Sequence, residues 1–180
     1  MLLPESEWEK ISPVNVGNEF DIRIYRYETE GNDFIELMRS GGFESWSEET
    51  LSGALRTALP DGIFLAADQS DGRLLATAMA THNPSVLHPF GGELGWVCTR
   101  PEARGKGLGK AVCTSALLRF RSAGYDRVYL KTDDWRLPAI QLYLKLGFKP
   151  FLFAPGMLER WEDVCKKLQY PAAPDKWPCK

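Results

Sequence analysis

The chain has 180 residues, 44% of them apolar and 26% charged, and its 22 Lys and Arg against 24 Asp and Glu leave a formal net charge of −2. That length suits one domain with a sizeable core. The charge balance gives no global field toward nucleic acid or an anionic membrane, so any phosphate site has to be local.

The opening MLLPESEWEK lacks the basic leader and unbroken apolar run of a secretory signal, and the longest uncharged stretch, Leu74 to Gly92, is broken by Thr, His, Asn and Pro and is no membrane span. Cys98, Cys113, Cys165 and Cys179 form no C-x-x-C pair and no disulfide framework. The expectation is a reduced, cytoplasmic protein without a metal.

FDIRIYRYE (residues 20–28) alternates apolar and charged residues and is expected to be a first strand. Two helices follow. One carries Phe34, Leu37 and Met38 and stops at Gly41-Gly42; the other begins near SWSEET, where Ser45 and Glu48 have capping-box spacing, and runs to Pro60. GIFLAA and LLATAMAT flank DQSDGR, a hairpin with Asp71-Gly72 at its turn. ELGWVCT (93–99) is expected as a fourth strand. The next helix places Leu108, Val112, Ala116 and Phe120 at steps of four and closes at Gly124. DRVYLKT (126–132) is expected as a fifth strand. A helix with Pro138 in its first turn then carries Ala139, Leu142, Tyr143 and Leu146 on one face and stops at Gly147. FKPFLF (148–153) is expected as a short sixth strand and MLERWEDVCKKL as a closing amphipathic helix. Residues 1–170 thus form one mixed α/β domain. Residues 171–180 form a tail that orders only if Trp177 docks it.

Between the fourth strand and its helix lies RGKGLGKAV (104–112), where helix N-terminal amides can meet an anion. A P-loop requires G-x-x-x-x-G-K-[ST]; here Arg104 stands where the first glycine belongs and Ala111 where the hydroxyl belongs. The dinucleotide fingerprint G-x-G-x-x-G is one residue longer than the G-x-G-x-G of Gly105, Gly107 and Gly109. Arg100, Arg104, Lys106 and Lys110 make only a local basic patch, so no nucleic-acid partner is expected. What remains is a small diphosphate on successive main-chain N–H groups, as in the pyrophosphate of coenzyme A.

WVCTRPEARGKGLGKAV resembles the acetyl-CoA motif of the GNAT superfamily of N-acetyltransferases, strand, then P-x-x-R-G-x-G-x-G/A, then helix. DDWRLPAIQLYLKLGFKP resembles its second hallmark, A-x-x-L-Y-x-x-x-G-F, matched at Ala139, Leu142 (in the apolar place before the Tyr), Tyr143, Gly147 and Phe148. The likeness covers roughly residues 20–153. It implies a mixed central sheet whose fourth and fifth strands splay apart, with acetyl-CoA as cosubstrate.

On this resemblance the pantetheine arm lies along Trp96, Val97 and Cys98, and the pyrophosphate on amides from Arg104 to Lys110, Leu108 among them. Gly105, Gly107 and Gly109 allow close approach, and Arg104, Lys106 and Lys110 add charge. Tyr143 is placed as the acid for the departing thiolate, and a backbone N–H of Val97 or Cys98 holds the carbonyl oxygen. Glu93 is the candidate base; a strand-edge surface charge is the other reading of it. His82 and His88 have a suitable ordinary pKa but stand beside prolines as loop residues. Cys98 has no evident histidine partner and is taken as a strand residue rather than a nucleophile.

Two positions depart from the family pattern. Arg136, preceded by Asp133 and Asp134, replaces a pantetheine-binding asparagine and has either a phosphate, an acidic substrate or Asp134 to meet. A helix replaces the usual seventh strand, which remodels the acceptor side or offers a homodimer contact. The expected function is direct transfer of acetyl to a primary amine of a small molecule or peptide. The alternative is a non-catalytic acyl-CoA-binding module. Glu44, Glu48 and Glu49 are either a cation-attracting wall or a solvated helix start, and Phe43 and Trp46 either line the acceptor pocket or pack the core.

Overall fold

One mixed sheet organises the computed structural model, which describes all residues from Met1 to Lys180. Its strands are β1 (Leu2–Leu3), β2 (Phe20–Ile24), β3 (Ala58–Asp68), β4 (Leu74–His82), β5 (Gly92–Thr99) and β6 (Val128–Tyr129), in the spatial order β1-β6-β5-β4-β3-β2. β2 to β5 form an antiparallel meander, β6 joins β5 in parallel, and β1 closes that edge antiparallel to β6. β1 was not expected, so the first to fifth strands of the sequence reading are β2 to β6.

The helices are α1 (Gly31–Ser40), α2 (Glu48–Thr57), α3 (Leu108–Ser122), α4 (Leu137–Lys145) and α5 (Met157–Leu168). On one face of the sheet Phe34, Leu37, Met38, Trp46 and Leu51 pack on Ile63, Leu65, Met79 and Cys98. On the other, Leu108, Val112, Ala116, Phe120 and Tyr143 pack on Ala66, Ala76, Ala78 and Leu94. The small residues on this second face let α3 lie close over the middle of the sheet. A large apolar side chain buried on either face contributes about 1.5–3 kcal/mol. β4 is buried without a break from Leu74 to Thr81, as befits a central strand covered on both faces.

Local rules account for the ends of these elements. α2 is capped by Ser47, whose hydroxyl accepts from the Thr50 amide, and not by the expected Ser45–Glu48 pair. Gly72 has φ +76° in the β3–β4 turn. Gly124 has φ +79°, and the Tyr125 amide folds back onto the Phe120 carbonyl to close α3. The face expected on α4 is only half of its story. Tyr143 and Leu146 join the main core, while Ile140 and Leu144 turn to Trp161, Val164 and Cys165, so the helix is held between the sheet and α5.

FKPFLF forms no strand. It makes isolated bridges at Lys149 with Leu2 and at Leu152 with Cys179, because Pro150 has no N–H to extend a ladder. Trp177 is buried against Trp161 and docks the last residues on α5. No helix is long and apolar enough to cross a membrane.

Candidate active site

β5 and β6 pair only at Gly92–Val128 and Glu93–Tyr129. Beyond that point they separate, and no strand pairs with the β5 edge that faced β6. The opposite edge carries a bulge: Gly95 pairs with Met79 and Cys98 with Thr77, so Trp96 and Val97 together oppose Ala78. Trp96 takes φ +50°, unusual for a bulky residue. The extra residue sorts the side chains. Val97 packs against the cluster that holds Tyr143, while Trp96 and Cys98 face α1.

The glycine loop follows the end of β5. Gly105 and Gly107 have φ +81° and +80°, with open space where a Cβ would stand, so conformation and not crowding calls for glycine there. Gly109 serves closeness instead: a Cβ would lie 3.1 Å from Thr99 Oγ1 and 3.5 Å from Leu142 Cδ2, where α3 meets β5 and α4. The buried Leu108 anchors the helix start. From Gly105 to Lys110, six consecutive amide N–H groups donate to nothing in the chain, and intrahelical bonding begins at Ala111. The first turn of α3 holds no acidic residue. This run of free donors at the positive end of a helix is an anion cradle.

Arg104, Lys106 and Lys110 are exposed around it. Lys106 Nζ lies 5.4 Å over the Phe20 ring. Arg100 does not belong to this patch: it is buried, its Nε donates to the Leu74 carbonyl and it pairs with Glu36 at 2.8 Å.

Tyr143, 7% exposed, projects from α4 into the main core beside Phe148. Burial, helped by the neighbouring Cys113, raises its pKa well above that of a free phenol, so it stays protonated at neutral pH. Glu93 is not a free edge charge. Lys131 pairs with it at 3.2 Å, Asn83 Nδ2 donates to it, and Tyr129 Oη lies 3.1 Å away. Burial pushes the Cys98 thiol up to about 11, and Cys98 Sγ donates to the Leu37 carbonyl. His82 contacts the Tyr125 hydroxyl at 2.6 Å. His88 stacks on Tyr129 at 3.8 Å, and burial, with Arg127 nearby, lowers its pKa to about 4.

Aromatic side chains gather across the α1-facing side of the gap. Trp96 meets Trp46 at 4.9 Å and Phe43 at 6.1 Å between ring centroids. Arg136, at the start of α4, lies 5.1 Å over Phe43 and 4.8 Å over Trp135. Its ion-pair partner is Asp133 at 3.0 Å, whereas Asp134 pairs with Arg160. An open groove of about 690 Å³ between α1 and α2 is lined by Glu36, Arg39, Glu48 and Glu49, and none of the cradle residues borders it. Sequence reasoning did not single out Asn83, Tyr129, Lys131 or Trp135; only Trp135, in the second motif, carried any local signal.

A sequence model described as the acetyltransferase (GNAT) family matches residues 31–148. A mycothiol acetyltransferase of Saccharomonospora viridis is 30% identical over 82% of the chain and 44% of its own length. The chain spans less than half the length of this and other mycothiol acetyltransferases that it matches. Among solved structures, a Trypanosoma brucei acetyltransferase is 26% identical with a TM-score of 0.55, covering 72% of this chain and 92% of that one. An aminoglycoside N-acetyltransferase, AAC(6')-Iy, solved in complex with CoA, has a TM-score of 0.60 at 18% identity over 76% of this chain and 91% of its own, a likeness of fold. With the family pattern spanning more than half of the chain on a splayed sheet of the same architecture, the protein belongs to the GNAT family of acetyltransferases.

Proposed function

We propose that this acetyltransferase moves the acetyl group of acetyl-CoA directly to a primary amine of a small molecule or peptide. The observation that carries the reading is the run of unpaired amides from Gly105 to Lys110 at the end of an unpaired strand edge. The cradle suits a pyrophosphate, and the free edge along Trp96–Cys98 suits the amide-bearing pantetheine arm as an added strand. Arg104, Lys106 and Lys110 supply charge at the rim, and Arg136 a further cation beside the gap.

The chemistry then follows from the groups at hand. Glu93 takes a proton from the attacking ammonium, the nitrogen lone pair adds to the thioester carbonyl, and a backbone N–H of Val97 or Cys98 receives the developing oxyanion. The C–S bond breaks, Tyr143, held protonated by burial, gives its proton to the departing thiolate, the second proton shed by the new amide nitrogen restores the Tyr143 phenol, and Glu93 releases its proton to solvent. Direct transfer is favoured over a covalent intermediate because the Cys98 thiol is buried and bonded to the Leu37 carbonyl. Glu93 is favoured over His88 as base because it lies on β5 where the gap to β6 opens, whereas His88 is buried and stacked on the Tyr129 ring. The aromatic wall of Phe43, Trp96 and Trp135 receives the body of the acceptor.

The test joins binding to turnover. Acetyl-CoA at 100 times its Kd should stabilise the fold by about 2.7 kcal/mol, seen as a rise in Tm. A panel of polyamines, aminoglycosides, amino acids and peptide N-termini should contain an amine that releases CoA. No rise in Tm at saturating acetyl-CoA would overturn the reading. A rise without any acceptor would leave an acyl-CoA-binding module in its place.

A further inference from the structure

Arg136 belongs to the aromatic side of the gap and not to the glycine loop. It stands at the start of α4, the helix that carries Tyr143. Its guanidinium carbon lies 5.1 Å over the Phe43 ring and 4.8 Å over the Trp135 ring. Phe43 in turn meets Trp96 of β5 edge to face at 6.1 Å. Burial and the neighbouring Cys113 push the Tyr143 phenol up, and the Arg136 charge acts in the opposite direction, so the two groups share one electrostatic neighbourhood.

The Arg136 guanidinium makes no hydrogen bond within the chain. The buried Arg100, by contrast, donates to the Leu74 carbonyl and to Glu36, and Arg23 donates to Glu30. Arg136 Nε is shut from solvent and bonded to nothing, even with an Asp133 carboxylate oxygen 3.0 Å away. Both partners of that i,i+3 ion pair remain partly exposed, so it holds weakly and leaves the fork open. Asp134 is taken by Arg160 and Glu93 by Lys131, so neither serves Arg136. A planar fork already held against aromatic rings is preorganised for two parallel N–H···O bonds, and a carboxylate supplies the matching pair of oxygens.

The anions of CoA are its phosphates, whose proposed seat is the cradle on the α3 side, and the pantetheine arm that leads from them to the thioester is uncharged. An anion on the Phe43 side therefore comes from the acceptor. Resting on the reading above, acetyl transfer to a primary amine, we infer that the acceptor is an amino carboxylate, a free amino acid or short peptide. Arg136 grips its carboxylate, the exposed Trp135 ring covers part of its carbon body, and its amine is left to meet the thioester. No bond changes at Arg136. Polyamines and aminoglycosides, which carry no carboxylate, rank below amino acids as acceptors.

The test compares each amino acid and dipeptide of the panel with its own C-terminal amide, which keeps the amine and the side chain but loses the anion. kcat/KM should favour the carboxylate about tenfold or more. Arg136→Gln should abolish that preference through the acceptor KM, with the acetyl-CoA Kd staying within about twofold. Asp133→Asn removes a competing carboxylate and should widen the preference, which a purely structural role of Arg136 would not do. Binding of the N-acetylated amino acids and of their C-terminal amides to the CoA-loaded protein reads the same contact without turnover. Equal rates for carboxylate and amide, a preference that survives Arg136→Gln, or an Arg136→Gln variant changed only in its acetyl-CoA Kd overturns the subsite and leaves acetyl transfer standing. Carboxylate-selective binding that is lost in Arg136→Gln, with no amine turned over, keeps the subsite and overturns the transfer. Absence of both overturns both.

Discussion

The two walls of the gap between β5 and β6 are made of different material. On the α3 side the groups proposed to hold the cosubstrate are main-chain amides, set by the left-handed φ of Gly105 and Gly107 and by the close approach at Gly109. The side chains there, Arg104, Lys106 and Lys110, are exposed, Lys106 lying over the Phe20 ring. On the α1 side the groups are side chains drawn from four separate segments: Phe43 and Trp46, Asn83 and His88, Glu93 and Trp96, Tyr129 to Arg136. A main-chain site keeps its shape through most substitutions, which suits a cosubstrate shared by many enzymes of one fold. A side-chain site changes with each substitution, which suits the partner that differs between them.

The largest effect is expected at the meeting of the two walls. On the proposed roles, Tyr143→Phe lowers kcat by about 100-fold or more and leaves the KM for acetyl-CoA within twofold. Steady-state kinetics checks this, and an unchanged kcat would remove Tyr143 as the acid.

The next effect belongs to the side-chain wall. A Cβ on Gly41 would collide with Cys98 Sγ. Gly41→Ala should therefore cost about 1–3 kcal/mol of stability by overcrowding, and adding Cys98→Ala should restore most of it. A melting curve equal to that of the native protein for the single variant would contradict so close a contact between α1 and β5.

The main-chain wall should respond through affinity. Gly107→Ala puts an L residue at φ +80°, a strain of about 1–2 kcal/mol, and the loop relieves it by turning its amides. Calorimetry should show the acetyl-CoA Kd rising about tenfold. An unchanged Kd would mean that the conformation of this glycine does not matter to the cradle.

The smallest effect is one of pH. His88 is lowered to about 4 by burial, against about 6.5 in an unfolded chain. Between those values the unfolded chain binds the proton and the folded one does not, so stability is lost as pH falls from about 6.5 toward 4. His88→Phe keeps the stack on Tyr129 and removes the titration. Its Tm should fall less between pH 7 and pH 5 than that of the native protein; equal falls would contradict the assignment.

The same contrast explains what could be read from the sequence. Glycine spacing announces a main-chain site because φ and close approach act on residues near in the chain. Two adjacent motifs therefore located the cradle and the helix that carries Tyr143. The Glu93 cluster joins residues 10, 36 and 38 positions apart, and no local pattern announces such a meeting. Local patterns also misled. Ser45 and Ser47 both precede acidic residues, and geometry selects Ser47 as the cap. The phenylalanines of FKPFLF resemble a strand, but Phe148 and Phe151 serve different clusters on either side of Pro150. Two leucines at β1 are too few to show a period, and nothing in ELGWVCT marks the bulge at Trp96. Tyr143 drew its role from motif resemblance alone, since a buried ring on a helix face is otherwise ordinary core.

The most direct measurement is a ¹H–¹⁵N correlation titration of the labelled protein with CoA. The amides of Gly105 to Lys110, free in the chain, should show the largest shifts, and they should saturate at the same Kd that governs the rise in Tm. Six unmoved amides in a protein that nonetheless gains stability from CoA would place the pyrophosphate elsewhere and contradict the cradle.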